Sequence, residues 1–418
     1  MKFILFLLVL TSSWGYAQQS LSLEECQTLA QESYAIVKQR NEIQKILDLS
    51  LKNNQTAYLP QVELNAQATY QSDVTSIPIS LPSVEVPTIS KDQYRATLDV
   101  RQLLYDGGVT QKQKQLSISN ERIEQQKIEV SLHQLKNRVT QLYFNILLQD
   151  ENMGLANLLR EDLEARIRKV SAGVTNGAVL KSNLEILQAE LLRTEQKLLE
   201  LQSSRKALLQ TVGILINKEL QENVLLQKPI IGQTLTIQLD KRPENQLFDL
   251  QSKYLQNQSE LLQVKNTPKL SAFFQGGYGR PGLNMLNNEF DVYYVTGVKL
   301  NWPIWNWNTT KNDRKILEAR KNILASQQED FTKNLDIALQ NYLSDIHKLQ
   351  QLMEKDKEII AIRNTIRERA AAQVENGIIT SNDYLVELNA HNQAQLNLKL
   401  HELQLLMTQA TYHLESGN

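Results

Sequence analysis

One cysteine, Cys26, occurs in the 418 residues, so no disulfide framework can form. With 15 glycines and 9 prolines the chain is neither collagen-like nor a low-complexity coil. Charge gives no surplus either: 45 basic side chains face 46 acidic ones, a net of -1. That removes the global basic field a nucleic-acid binder uses, and also the acidic excess of a disordered chain. No stretch holds the roughly 18 uncharged apolar residues of a spanning helix. Signatures of chemistry are missing as well. There is no Gly-x-x-x-x-Gly-Lys loop, no Cys-x-x-Cys and no His-Glu-x-x-His. Gly276-Gly277-Tyr278-Gly279 mimics a nucleotide loop only superficially, because Tyr278 continues a strand pattern and no helix follows. His133, His347, His391, His401 and His413 are scattered on helical segments without an i, i+4 pair, which favours solvated or seam roles over metal ligation. The reading is therefore non-enzymatic, with no catalytic, cofactor or metal site.

What is present begins with an export signal. Met1-Lys2 precedes an apolar run, Phe3 to Leu10, then Thr11-Ser12-Ser13 and the small-residue site Gly15-Tyr16-Ala17 before Gln18. This pattern predicts a signal peptide over residues 1–17, cut after Ala17. Cys26 lies nine residues beyond that cut and lacks the Leu-x-x-Cys context of a lipoprotein, so it is expected in a core.

The mature chain repeats itself. Val174-Thr175-Asn176-Gly177 recurs as Val374-Glu375-Asn376-Gly377, and Leu104-Tyr105-Asp106-Gly107-Gly108 answers Ile304-Trp305-Asn306-Trp307-Asn308, both displaced by 200. Leu59-Pro60-Gln61-Val62 with Tyr70 pairs with Thr267-Pro268-Lys269-Leu270 with Tyr278 at a slightly larger shift. Two copies are expected, 18–225 and 226–418, meeting within residues 215 to 240. The loss of both glycines at Trp307-Asn308 predicts a different bend at that corner.

Each copy carries long seven-residue periodicity. From Leu132 through Leu135, Val139, Leu142 and Ile146 to Val174, eleven of thirteen positions at strict three/four spacing are apolar. The same register in the second copy, Thr332 to Val374, is weaker. Helices are predicted over 21–57, 109–173 and 178–214. At about 1.5 Å per residue the middle one runs to about 95 Å and the others to about 55 Å. Each Asn-Gly is the turn of an antiparallel helical hairpin, with tips near 177 and 377. Charge interrupts the second seam, where Asp356, Arg363 and Arg367 replace Ala156, Leu163 and Ile167. These three, with Asp383 beside the tip, form a candidate polar constriction, the bland alternative being a solvated helical face.

Between the helices the period changes to two. Val62, Leu64, Ala66, Ala68 and Tyr70 alternate with Glu63, Asn65, Gln67 and Thr69, and Tyr94, Ala96, Leu98 and Val100 alternate with Arg95, Thr97 and Asp99. Leu270 to Tyr278 and Val292 to Trp302 repeat the pattern. Each run has about the 9 to 11 residues a tilted strand needs to cross a bilayer. Tyr58, Tyr70, Tyr94, Tyr105, Tyr278, Trp302, Trp305 and Trp307 stand at strand ends, where aromatic girdles lie. Unpaired sheet edges are untenable in hydrocarbon, and four strands are too few to close. Copies must therefore join: two would give eight strands and three twelve, and a wide lumen fits the larger ring.

These residues resemble the TolC-type outer membrane efflux channels of Gram-negative bacteria across about residues 20 to 415. The resemblance is carried by Ser22-Leu23-Glu24-Glu25-Cys26, Tyr58-Leu59-Pro60-Gln61-Val62, Leu104-Tyr105-Asp106-Gly107-Gly108 and the two tips, in order and in duplicate. It implies a homotrimer with one twelve-stranded barrel in outer membrane lipid and a helical tunnel in the periplasm. It implies passive conduction from an inner membrane pump, through a periplasmic adaptor docked on the tips Val174, Asn176, Gly177, Val374, Asn376 and Gly377. The alternative is an exported coiled-coil or adhesin-like rod without a pore, which explains the heptads but not four amphipathic strands at matching points. An adaptor would need a lipoyl-like domain between its helices, and none is found. The cargo is not legible.

Overall fold

A computed structural model describes residues 20–75, 88–232 and 238–417; the expected signal peptide lies outside the described residues. The chain is mainly helical with a four-stranded antiparallel sheet, and its elements run twice in the same order. After the short strand β1 (Ser20–Leu21) come α1 (Leu23–Ser33), α2 (Gln39–Gln55), β2 (Gln61–Tyr70), β3 (Asp92–Tyr105), α3 (Val109–Thr175) and α4 (Lys181–Ile216). Then follow β4 (Leu225–Leu226), α5 (Pro243–Val264), β5 (Lys269–Arg280), β6 (Asp291–Asn301), α6 (Thr309–Glu375) and α7 (Ser381–Glu415). The long helices α3 and α6 have 67 residues each.

The helix expected over 21–57 is broken. It starts on a capping box in which Ser22 Oγ accepts from the Glu25 amide and the Glu25 carboxylate accepts from the Ser22 amide. It stops at Tyr34, whose backbone is extended (φ -68°, ψ 124°), and resumes as α2 after a 3-10 turn over Ala35–Lys38. The β-branched pair Ile36-Val37 is a weak helix former. Ser33 Oγ also donates to the Ala30 and Leu215 carbonyls, at 3.2 and 2.8 Å, anchoring the end of the first piece.

Two units emerge. The first comprises residues up to 38, 128–245 and 331–418. The seam positions Leu132, Leu135, Val139 and Ile146 are buried in it, as are Leu335, Leu339, Ile346 and Leu349 of α6. Cys26 is fully buried, as expected, and burial pushes its thiol up to about 12. The parallel pair β1–β4 is clamped by Tyr143, whose hydroxyl reaches the Leu21 carbonyl at 2.8 Å and the Gln227 carbonyl at 2.5 Å. Arg205 ties the linker after α4 by donating to the carbonyls of Glu222 and Val224 and to Asp150. Further on, the guanidinium of Arg242, only 4% exposed, meets the Glu415 carboxylate, His133 Nε2 at 2.9 Å and Glu244 at 3.0 Å.

The second unit, 39–127 and 246–330, holds the sheet. Strand order is β2-β3-β5-β6, all antiparallel, so β2 and β6 have one partner each among the described residues. The helices follow the strands in the same order. α2 lies on α3 through Asn54–Ser117 (3.5 Å), and α3 on α5 through Lys112–Glu260 (2.7 Å) and Asn257–Ser119 (2.5 Å). Asn266, just after α5, donates to Thr310 of α6 at 2.8 Å. Each edge strand thus runs into an edge helix.

Corners join strands to long helices. At the first, Asp106 accepts from the amides of Gly108 and Thr110 and from the Tyr58 hydroxyl. Burial pushes its carboxyl up, but the donors from Thr110, Tyr58 and Gly108 outweigh that and hold it below the usual carboxylate range. Gly107 and Gly108 take left-handed φ of 70° and 91°. At the second corner the turn keeps the left-handed backbone despite the lost glycines, although β6 ends at Asn301 where β3 runs on to Tyr105. Trp307 (φ 52°) and Asn308 (φ 62°) take the same left-handed backbone without glycine, while Asn306 donates to Thr310 at 2.6 Å. Tertiary context overrides a cost of about 1–2 kcal/mol per residue there. A Cβ on Gly107 would stand 1.6 Å from Thr267 Oγ1, whereas one on Gly108 meets nothing within 4 Å. Gly107→Ala should therefore lower the melting temperature clearly more than Gly108→Ala; equal losses would mean the clash is relieved by movement of Thr267.

Candidate functional site: an amphipathic sheet and two helical tips

The sheet registers place like with like. Leu64 sits opposite Leu98, Val62 opposite Val100, Ala96 opposite Tyr278 and Tyr278 opposite Val292. The resulting apolar face is bare: Leu64 is 77% exposed, Val292 74% and Tyr294 69%. Contiguous exposed apolar side chains of this kind mark a surface that faces lipid or a partner. On the opposite face Asp99 accepts from Asn65 (2.8 Å), Thr97 (2.9 Å) and Gln275 (2.5 Å), a polar row suited to water. Tyr94 and Tyr278 pack on Phe290 at the loop end, with centroids 6.2 and 5.4 Å apart, and Trp305 meets Trp307 edge-on at 5.8 Å at the helix end. From Tyr94 to Tyr105 a strand covers about 36 Å. Tilted by about 35–45°, that spans the roughly 25–30 Å expected between aromatic girdles. Tyr58, expected in the girdle, commits its hydroxyl to Asp106 at 2.8 Å.

Both helical tips close identically. Gly177 and Gly377 share φ 71°; their amides return to Val174 and Val374, and those of Ala178 and Ile378 reach Gly173 and Gln373 at 2.9 Å. This is the Schellman arrangement, for which a left-handed residue is needed. Asn176, Gly177, Asn376 and Gly377 are exposed, whereas Val174 and Val374 are half-buried, Val374 against a cluster of Leu163, Leu187, Ala370, Tyr384, Leu385 and Leu388.

The four constriction residues find partners within the α6–α7 hairpin. Asp356 meets His401 Nδ1 at 2.6 Å, and Arg363 donates to Glu387 at 3.0 Å. Arg367 lies 3.8 Å from Glu368; beside it His391 is buried, and burial first, then the charge of Arg367, pushes its imidazole down. Asp383 closes the capping box of α7 with Thr380, whose donors hold its carboxyl low. That role was readable in Thr380-x-x-Asp383.

Missed in the sequence is a tie close to the tips. Tyr384 is 2% exposed; its hydroxyl donates to Asp162 at 3.0 Å, and Arg166 lies 4.2 Å above its ring. Arg166 and Lys169 also reach Glu375 at 3.2 and 3.0 Å, and the Lys169 ammonium holds that carboxyl below its ordinary range. Only the i, i+4 spacing of Asp162 and Arg166 hinted at it. Among the described residues no cluster of His, Cys, Asp or Glu could hold a metal, and no helix is long and apolar enough to cross a membrane.

No protein-family model and no curated protein matches the chain. Solved structures do. The outer membrane protein VceC of Vibrio cholerae matches with a TM-score of 0.68 at 14% identity, covering 95% of this chain and 96% of VceC. CusC, solved in work on transmembrane channel formation, matches at 0.72 and 13% identity over 95% and 92%. The open state of the Neisseria gonorrhoeae MtrE outer membrane channel matches at 0.65 and 15% identity over 95% and 89%. At such identities the likeness establishes a shared fold over nearly the whole chain.

Proposed function

We propose that the chain is a passive outer membrane channel of a tripartite export system, closing its barrel as a homotrimer and extending it into the periplasm with its helices. The carrying observation is the four-stranded sheet, bare on its apolar face and open at both edges. In a bilayer those edges must be paired. β2 leaves the helices and β6 returns to them, so β6 of one copy against β2 of the next is antiparallel and keeps every helix on one side. Pairing β2 with β2 across a two-fold axis would put helices on both sides of the membrane. Eight strands leave an interior that side chains fill, whereas twelve leave a conduit. The shared fold with MtrE and the other outer membrane channels supports this reading over a pore-free rod, and over an enzyme.

The sequence carries no Gly-x-x-x-x-Gly-Lys loop, and on this reading an inner membrane pump supplies the energy. A periplasmic adaptor docks on Val174, Asn176, Gly177 and Val374, Asn376, Gly377, where the exposed Leu180 and Ile378 add apolar contact. Asp356, Arg363, Arg367 and Asp383 line the narrowed end. The test is fractionation and electrophysiology. A heat-labile oligomer of three copies in the outer membrane fraction, conducting in planar bilayers, is expected. A detergent-free, monodisperse single copy would refute the proposal.

A further inference from the structure

Four tryptophans occur in the sequence, and all but Trp14 of the expected signal peptide stand at the second corner. Trp302, Trp305 and Trp307 are 54%, 70% and 81% exposed, and Trp302 continues the apolar row Val298, Leu300 of β6. The first corner has none. Immediately past the second, from Lys311 to Lys321, α6 carries five basic side chains against two acidic ones, where residues 111–121 of α3 carry two against one. Of those two, Lys112 already holds Glu260 at 2.7 Å. Lys311, Arg314 and Lys315 are exposed and have no ion-pair partner among the described residues. They line a groove whose α5 side offers the neutral Gln256 and Ser259, and Glu318 is its single carboxylate.

The helix row α2-α3-α5-α6 is curved, and its curvature gives the three cations a side. α3 meets α2 at Ser117 and α5 at Ser119. At about 100° per residue these contacts are about 200° apart one way round the helix and about 160° the other. The narrower arc, through Leu116 and Asn120, is the concave side. Gln111, Lys114 and Gln115 lie on the convex arc, and so, displaced by 200, do Lys311, Arg314 and Lys315. Leu317, the counterpart of Ser117, is buried towards α5, which keeps the two helices in the same rotation. A ring of such rows turns its convex side outward. We infer that the second corner is a binding site for anionic phospholipid of the periplasmic leaflet, the tryptophans seated in the interface and the three cations on the lipid phosphate. Aromatic rings of this kind settle at headgroup level. Arg314 follows Trp307 by seven residues, about 10 Å of helix, and long basic side chains reach back towards the interface from that depth. The site rests on the membrane reading proposed above and adds to it a preference for negative lipid, at one corner of each copy and not the other.

Tryptophan emission reads the site directly, because every tryptophan beyond the expected signal peptide lies at this corner. The full chain is reconstituted in phosphatidylcholine vesicles holding a minor fraction of either phosphatidylglycerol or phosphatidylcholine brominated near the headgroup, and quenching is compared. One basic side chain beside an anionic headgroup is worth about fivefold in occupancy. Brominated phosphatidylglycerol should therefore associate with the corner at least about fivefold more strongly than brominated phosphatidylcholine at low salt, and the excess should shrink at high salt. Lys311→Gln with Arg314→Gln and Lys315→Gln should bring the ratio close to one. Lys348→Gln with Lys355→Gln and Lys357→Gln removes the same charge further along α6, from side chains that already hold Asp345, Glu358 and Glu354, and should leave the ratio unchanged. Soluble glycerol phosphate should not abolish the excess; if it does, the groove takes free phosphate esters and the lipid site is overturned. Equal quenching by the two lipids, or a preference that survives the first triple variant, would overturn the lipid site and leave the channel reading standing. Quenching by neither lipid would place the corner outside the bilayer and overturn both.

Discussion

On the channel reading proposed above, Asp162→Ala should raise single-channel conductance in planar bilayers and the leak of large solutes through the outer membrane. The buried Tyr384 hydroxyl donates to Asp162 at 3.0 Å, and this bond links α3 to α7 where the hairpins approach their tips. A hydrogen bond to a charged group in such a setting is worth about 1.5–3 kcal/mol. Losing it should loosen the hold of α7 on α3 by a factor of about 10 to 150 in each copy. Tyr384→Phe keeps the ring beneath Arg166 and removes only the hydroxyl, so it should produce the same direction with a smaller rise, since no phenol is left unpaired. Glu375→Gln is the contrasting variant. Its carboxylate is 47% exposed, so its pairs with Arg166 and Lys169 are screened and are worth under about 1 kcal/mol. It should shift conductance little. Conductance of Asp162→Ala equal to that of the unaltered chain would show that the tie does not limit conduction.

The α3 seam was legible because nothing but packing acts on it: Leu132, Leu135, Val139 and Ile146 are apolar at heptad spacing and all are buried. The strands were equally legible, since alternation survives when one face meets lipid and the other water. The α6 seam looked weak for a physical reason. Its charged positions are satisfied by residues of the return helix, His401 for Asp356 and Glu387 for Arg363, and a pairing across a hairpin leaves no mark at one position alone. The break at Tyr34 and the left-handed Trp307 escaped because both depend on partners distant in sequence: Leu215 accepts from Ser33, and Asn266 and Asn306 meet at Thr310. Asp383 is legible as the cap of α7 from Thr380-x-x-Asp383. The tie through Tyr384 joins residues 222 apart, beyond any local pattern.

Arg242→Ala should be the most destabilising substitution outside the sheet, with a pH dependence that identifies its cause. Arg242 lies just ahead of α5, past the junction of the two copies, and is buried with Glu415, Glu244 and His133, and with the Phe331 ring 5.8 Å from its guanidinium. Removing the cation leaves two nearly buried carboxylates uncompensated, a loss of about 3–5 kcal/mol. Replacing all three together, Arg242→Met with Glu244→Gln and Glu415→Gln, should restore much of it, because no charge is then stranded. Burial, then the charge of Arg242, pushes the His133 imidazole down, while Glu244 and Glu415 push it up and Lys136 adds to the lowering. In the unaltered chain the folded state therefore holds His133 neutral. Its contribution is complete above the unfolded value of about 6.5 and is lost as the pH falls through the lowered folded value. His391, also pushed down, acts with the same sign. Without Arg242 the two carboxylates dominate at His133, its value rises, and the imidazolium that forms on acidification pairs with them. The thermal deficit of Arg242→Ala should thus shrink between about pH 8 and pH 5.5, where ordinary loss of a packing group would leave it constant. If the variant does not assemble, Arg242→Lys keeps the charge without the fork. It should show an intermediate deficit at neutral pH and little change with acid, and an equal deficit at both pH values for Arg242→Ala would rule out the electrostatic cause.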